Sequence, residues 1–401
     1  MNGTDRDVVI VSAVRTPIGK FGGGLKDFRA YQLAGMAMRA AIDNAGVEMS
    51  SVDEVIAGDC IQCPDEGNTA RTAALSIGIP VEVPAYTVQK QCSSSMQALS
   101  SARTQILAGE ADVVLVAGVE SMSNAPYILK SARWGQRLAH GEMTDVIWEL
   151  LSSGSGLVGR KTIMGETAEN LAERYAISRQ EQDEVALRSH QCAERGISSG
   201  KFKEEIVPVV IESRKGETII ETDEHPRFGL TMDDLSPLRP AFKTGGTVTA
   251  GNSSGINDGA AAVVVTSRSK ARELGLTPLV RVVAQASAGV PPEIMGYGPV
   301  PATQKLLSRA GIAMSEIGLV ELNEAFAAQY IACERGLGLN RDTVNVNGSG
   351  IGMGHPVGCT GIRIVVSLLH EMRRRGERYG LATLCVGGGM GMSTLLELEG
   401  A

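Results

Sequence analysis

Val114-Leu115-Val116-Ala117-Gly118, leading to Ser121-Met122-Ser123, returns late in the chain as Leu384-Cys385-Val386-Gly387-Gly388, leading to Gly391-Met392-Ser393. Each is a short apolar run closed by turn residues, the mark of a buried strand. A second pair precedes it: Val52-Asp53-Glu54-Val55-Ile56-Ala57-Gly58-Asp59 is matched by Ile317-Gly318-Leu319-Val320-Glu321-Leu322-Asn323-Glu324. Asp59 and Cys92 stand 33 residues apart, Asn323 and His355 32. Segments repeated in order at matched spacing imply one ancestral half duplicated, and that duplication sets the architecture.

Around these pairs, strand and helix patterns alternate. Val8–Val11, Val52–Ala57, Val83–Val88 and Asp112–Ala117 read as strands, with helices at Leu33–Asn44 and Met96–Leu107. In the latter, Met96, Leu99, Arg103 and Ile106 share one face, apolar except for Arg103. Towards the C-terminus Ile317–Glu321, Thr343–Val346 and Gly380–Val386 read as strands and Ile362–Met372 as a helix, with Arg373-Arg374-Arg375 as cations closing an amphipathic helix. Such alternation predicts a layered α/β fold. Residues 122–249 break the pattern with two polar helices, the second opened by the capping-box signature Ser178-x-x-Glu181, and with Gly- and Ser-rich turns at Ser152–Gly159. This is an insertion between halves, suited to holding a bulky substrate or to assembly.

The 401 residues are 43% hydrophobic and 21% charged, enough for two or three units of roughly 100–200 residues. Aromatics are only 4%, so the core must rest on Val, Ile, Leu, Ala and Met. A net charge of −7 without a basic stripe argues against nucleic acid as a partner. No run approaches the ~18–20 apolar residues of a membrane span. The N-terminus enters Val8-Val9-Ile10-Val11 without the pattern of a signal peptide, and Glu399-Gly400-Ala401 is no peroxisomal address. Seven cysteines fit a reducing cytoplasm better than a disulfide framework. Cys60-x-x-Cys63 lacks the second pair of a zinc site and the context of a redox motif, and no metal site is expected.

Four groups carry chemistry. Cys92 lies between the strand Val83–Val88 and a helix from Ser93, where the positive end of the helix dipole favours a thiolate; an inert buried thiol is the alternative. Asn345-Val346-Asn347-Gly348-Ser349-Gly350-Ile351-Gly352-Met353-Gly354-His355-Pro356 is too glycine-rich for regular structure and leaves His355 at a turn, where it can activate a thiol or donate to an oxyanion. A phosphate-cradling loop fits less well, since no Walker Lys-Ser/Thr is present. Cys385 precedes the glycine turn Gly387-Gly388-Gly389, a place for an acid/base thiol beside exposed backbone N–H groups. Asn323-Glu324-Ala325-Phe326-Ala327 follows a second-half strand, with Asn323 able to fix a water and Glu324 to orient.

Taken with Val14–Gly22, Gly118–Ser123, Met164–Asn170, Leu238–Phe242, Gly246–Gly255 and Gly354-His355-Pro356, these segments make the chain resemble a thiolase over nearly its whole length. The resemblance implies a five-layer αβαβα core of two duplicated halves, residues 1–121 plus 250–276 and residues 277–401, with 122–249 as a CoA-binding loop domain. It implies that Cys92 takes the acyl group, that His355 activates it and shares an oxyanion hole with a water on Asn323, and that Cys385 moves the α-carbon proton. The N–H groups of Cys92 and Gly387 would form a second oxyanion hole. Met164, Arg227, Ala250, Ser254, Met295, Ala325 and Phe326 match CoA-binding positions. The implied activity is acyl transfer between 3-ketoacyl-CoA and CoA, foremost as an acetyl-CoA C-acetyltransferase, alternatively as a degradative thiolase of longer, branched or aromatic chains. Coenzyme A is then a co-substrate with no permanent cofactor, and a homodimer or homotetramer is expected, a heteromeric partner staying open.

Two rivals carry less. A decarboxylating ketoacyl synthase would place a second His at Asn323 and lack Cys385, and a non-catalytic relative would have lost Cys92 or His355. Three residues depart from the thiolase pattern: Ser95 for Gly, Gln89 for Asn, and Ile163 for His. Ser95 and Gln89 are expected to crowd the nucleophile's turn and Ile163 to remove a polar contact, together altering acyl preference.

Overall fold

The computed structural model describes residues 4–138, 140–152, 162–213 and 216–400. Its first half contains strands β1 (Val8–Arg15), β2 (Glu54–Gly58), β3 (Ala85–Val88), β4 (Val113–Ser121) and β5 (Asn257–Ser267). They lie in the order β3-β2-β4-β5-β1, with β2 parallel to β3 and β4, and β5 antiparallel to β4 and β1. The second half repeats the scheme with β6 (Val280–Gly289), β7 (Leu319–Leu322), β8 (Tyr379–Val386) and β9 (Met390–Leu398), in the order β7-β8-β9-β6. Here β7 is parallel to β8, and β9 is antiparallel to β8 and β6. The sheets meet where Val9 and Ile10 of β1 pair with Arg281 and Val280 of β6.

The expected strand Thr343–Val346 is not formed. Val344 makes a lone parallel bridge to Val320, at the place that β3 fills beside β2 in the first half. Asn345 stops the run: its φ of 48° leaves the extended region, and its side chain serves Leu322 N and O in place of a ladder.

Helices separate and cover the sheets. α1 (Ala30–Ala45) and α2 (Thr69–Ser76) form the outer layer of the first half, and α6 (Pro299–Ala310) and α7 (Ala327–Leu337) that of the second. The middle layer is α3 (Ser94–Ala108) with α8 (Thr360–Arg375), giving the αβαβα order. Strand side chains alternate between layers, Val114 and Val116 facing the middle helices and Val113, Leu115 and Ala117 facing α1 and α2. Met96, Leu99 and Ile106 of α3 are buried as expected, and Arg103 donates to Val282 O and Val283 O.

The amphipathic reading of α8 needs correction, since every residue from Thr360 to Met372 is buried. The polar positions that suggested a wet face are paired inside: Arg363 with Glu321, His370 Nε2 with Ala13 O, and Glu371 with Asn347, Arg374 and Arg375. Only Arg373–Arg375 reach the surface. Within the insertion, α4 (Met164–Arg174) and α5 (Arg179–Ser198) are the two polar helices, and Ser178 with Glu181 makes the reciprocal cap in full. Of the turns at Ser152–Gly159, all but Ser152 lie outside the described residues. Among the described residues no helix is long and apolar enough to cross a membrane.

Candidate active site

Cys92 sits on a constrained turn between β3 and α3. Gln91 before it holds φ at 49°, and Ser93 and Ser94 direct their hydroxyls back to Lys90 O and Gln91 O. The turn presents Sγ to two backbone donors, the N–H of Cys92 itself and that of Gly387 across the interface of the halves. The thiol is nonetheless no resting thiolate. Burial pushes it up to about 11 against those two N–H groups, and the expected help from the helix dipole does not outweigh the loss of water.

His355 closes the same space from the second half. Gly354 before it has φ of 99°, and a Cβ there would lie 2.8 Å from Asn257 Cγ, so the turn requires glycine. Asn257 Oδ1 accepts from His355 N at 2.9 Å. The ring nitrogen Nδ1 lies 2.6 Å from Thr360 Oγ1, whose own proton goes to Pro356 O at 2.9 Å. Thr360 therefore accepts from Nδ1–H, which leaves the lone pair on Nε2. Burial, with Arg363 nearby, lowers His355 to about 3, so the ring is a neutral base.

Cys385, the penultimate residue of β8, is fully buried, and its thiol is raised well above the usual range by burial and by Cys92 nearby. Asn323, after β7, is also fully buried, and neither Oδ1 nor Nδ2 has a protein partner. Buried amides are almost always paired, so this one marks a place for a water or a substrate atom. Glu324 beside it is tied by Ser189 Oγ at 2.5 Å and Asn345 Nδ2 at 2.7 Å, an orienting arrangement.

Cys92 and His355 line one cavity of about 40 Å³ together with Met164, Ser254, Met295, Ala325 and Phe326. Sequence reasoning missed three of its walls, Leu150, Leu151 and Val357. The short apolar helix Val146–Leu151 in an otherwise polar insertion was the available signal for the first two. Two expected CoA-binding positions lie elsewhere. Arg227 is exposed beside His190, to whose Nδ1 its backbone donates, and Ala250 is exposed and absent from the lining. Ser95 does not crowd the nucleophile: it points between the halves, donating to Cys359 O and accepting from Ile362 N. Gln89 is exposed, and Ile163 caps α4 without a side-chain hydrogen bond.

Two thiols and a neutral imidazole, gathered at strand ends of a duplicated αβαβα core beside an apolar cavity, define an enzyme class that transfers acyl groups through a protein thioester. The family models described as thiolase, N-terminal domain and thiolase, C-terminal domain match residues 8–269 and 276–398. The chain is 50% identical to an acetyl-CoA acetyltransferase of Syntrophomonas wolfei subsp. wolfei over 98% of its length and 99% of the relative's. The solved acetyl-CoA acetyltransferase of Bacillus anthracis superposes with a TM-score of 0.95 at 54% identity, covering 98% of both chains. Human mitochondrial 3-ketoacyl-CoA thiolase, solved in complex with CoA, superposes at 0.94 with 42% identity over 98% of both. The chain belongs to the thiolase family. It is an acyltransferase.

Proposed function

We propose that this enzyme transfers acyl groups between 3-ketoacyl-CoA and CoA through a Cys92 acyl-enzyme, acting as an acetyl-CoA C-acetyltransferase. The observation that supports this most is the convergence of the Cys92 and Gly387 N–H groups on the Cys92 sulfur, in a cavity that His355 also lines. As thiolysis begins, His355 Nε2 takes the Cys92 proton while Sγ attacks the 3-keto carbon. The proton moves as the carbon–sulfur bond forms, because a thiol near 11 beside an imidazole near 3 does not ionise at rest. The Cα–Cβ bond then breaks, its electron pair passing into the enolate of the departing acetyl-CoA. Cys385 protonates that enolate, and the unpartnered Asn323 holds the water that, with His355, faces the thioester oxygen. As the CoA thiol attacks the acyl-enzyme it gives its proton to the Cys385 thiolate, the N–H groups of Cys92 and Gly387 face the oxyanion, and the Cys92 sulfur leaves and takes back the proton held on His355. Condensation is the same path reversed.

The further roles are part of the same reading. Met164, Ser254, Met295, Ala325 and Phe326 receive the pantetheine end of CoA, residues 122–249 form its loop domain, and Arg227 and Ala250 lie outside the cavity, on the side of the nucleotide. CoA is a co-substrate, the enzyme works as a homo-oligomer, and seven unpaired cysteines suit the cytoplasm. The test is a thiolysis panel of acetoacetyl-CoA with longer, branched and aromatic 3-ketoacyl-CoAs. Fastest cleavage of acetoacetyl-CoA is expected. Absence of cleavage of every member in the presence of CoA would sink the proposal.

A further inference from the structure

Behind the two catalytic turns lies a pair of buried acids that the chemistry above leaves unused. Asp59 follows β2 and Glu120 is the penultimate residue of β4; both are fully buried. Glu120 accepts three backbone N–H groups: Ile61 at 3.0 Å on Oε1, and Cys60 at 3.3 Å and Gly358 at 2.7 Å on Oε2. Asp59 Oδ2 accepts from Thr69 Oγ1 at 2.7 Å and Oδ1 has no hydrogen bond of normal length, although the Ile61 N–H also favours the charged form of this carboxyl. The Glu120 carboxyl lies in hydrogen-bonding contact with Asp59. Two carboxylates so placed cannot both stay ionised away from water, and a proton between them supplies the donor that Oδ1 lacks.

Two of the contacts of Glu120 lead to the two catalytic turns. Gly358 belongs to the His355-Pro356-Val357-Gly358 turn, and a Cβ on it would come within 2.5 Å of Val119 O and 2.9 Å of Asp59 Cα. Cys60 continues to the other turn, its Sγ donating to Gln91 O at 2.9 Å and lying 3.3 Å from Ser94 Oγ. We infer that Asp59 and Glu120 are positioning residues forming a one-proton carboxyl pair that fixes the Cys92 and His355 turns relative to each other. Burial raises both carboxyls, Asp59 to about 6 and Glu120 well above the usual carboxylate range. The other ionisable groups interacting with the pair are Glu66, Cys60, Cys63, Cys92 and Cys359.

The inference rests on the acyl-transfer reading for its kinetic test but not for its spectroscopic one. Asp59→Asn carries an N–H donor where the shared proton sits, and should keep kcat within about twofold of the parent enzyme. Glu120→Gln must turn an NH₂ towards backbone N–H groups; kcat should fall on the order of 10–100-fold at nearly unchanged KM, the signature of a displaced turn. Infrared difference spectra of parent minus Asp59→Asn at pH 5 should show the carbonyl stretch of one protonated carboxyl. A tenfold loss in Asp59→Asn, an unchanged kcat in Glu120→Gln, or absence of that band overturns the pair. If Glu120→Gln fails to fold, the Asp59→Asn rate and the band still decide. If the parent enzyme cleaves no 3-ketoacyl-CoA, the functional reading fails while the band judges the pair alone.

Discussion

Asp59 and Asn323 each stand just beyond the strand of their half that pairs in parallel with its neighbour, and their surroundings are opposite. Asp59 is packed against Glu120 and held by Thr69, whereas Asn323 is equally buried with both polar side-chain atoms unmatched. The residues some thirty positions further on diverge in parallel: Cys92 is reached by two N–H groups, and His355 by a hydroxyl that fixes its tautomer. Duplication supplied two equivalent strand ends. One is satisfied internally and supports the nucleophile; the other is left open and faces the reaction. An unsatisfied amide costs about 1–3 kcal/mol when buried dry, which is why it marks function rather than packing.

The hardest test of this division is at the nucleophile. Cys92→Ser should lower kcat on the order of 10⁴-fold or more, and the acyl adduct seen by mass spectrometry on the parent protein should vanish. An adduct persisting on Cys385 would reverse the roles of the halves. Next comes the same substitution at the two strand-end positions. Asn323→Leu should lose about 10²–10³ in kcat, the usual effect of removing an oxyanion donor, with no fall in the thermal midpoint. Asp59→Leu should instead destabilise by about 1–3 kcal/mol in urea unfolding, because Glu120 and Thr69 lose their partner. Equal stability losses at both positions would erase the contrast.

A smaller effect follows from pH. His355 falls from 6.5 to about 3 on folding, so between these values the unfolded chain binds one proton more. Its contribution to stability is therefore present above pH 6.5 and lost as the pH falls towards 3, amounting to about 2 kcal/mol between pH 7 and 5. Asp59 and Glu321, both raised by burial, act in the opposite sense in part of this range, so the quantity to measure is a difference. Going from pH 7 to 5, the parent should lose about 2 kcal/mol more than His355→Asn. Equal losses would mean that the ring is charged in the folded state.

Much of this arrangement could be read in the residues, for identifiable reasons. The duplicated strands were visible because parallel strands buried on both faces are written as continuous apolar runs, as in Val113–Ala117 and Leu381–Val386. Cys92, His355 and Asn323 stood out because turns at strand ends carry glycine and polar residues together. What stayed hidden was pairing at a distance. Nothing local in Thr343–Val346 shows that Asn345 will spend its side chain on Leu322, nor in α8 that Arg363, His370 and Glu371 will be satisfied inside. The thiol of Cys92 was misread for a related reason: the helix dipole is visible in sequence, whereas the burial that outweighs it is a property of the packed halves.

Ser95 gives the finest test, because sequence and structure assign it different work. Placed three residues after the nucleophile, it was expected to alter acyl preference, yet its hydroxyl joins the halves through Cys359 O at 3.1 Å and Ile362 N at 3.0 Å. Removing it by Ser95→Gly loses both bonds and adds glycine's flexibility to the first turn of α3. The expected cost is about 1–2 kcal/mol of stability, from hydrogen bonds worth roughly 1 kcal/mol each and a smaller backbone term. The ratio of rates on acetoacetyl-CoA and longer 3-ketoacyl-CoAs should not move, since the side chain is absent from the cavity wall. A shifted ratio with unchanged stability would mean that this residue shapes the acyl site after all, and that the boundary between supporting half and reacting half runs closer to Cys92 than its hydrogen bonds imply.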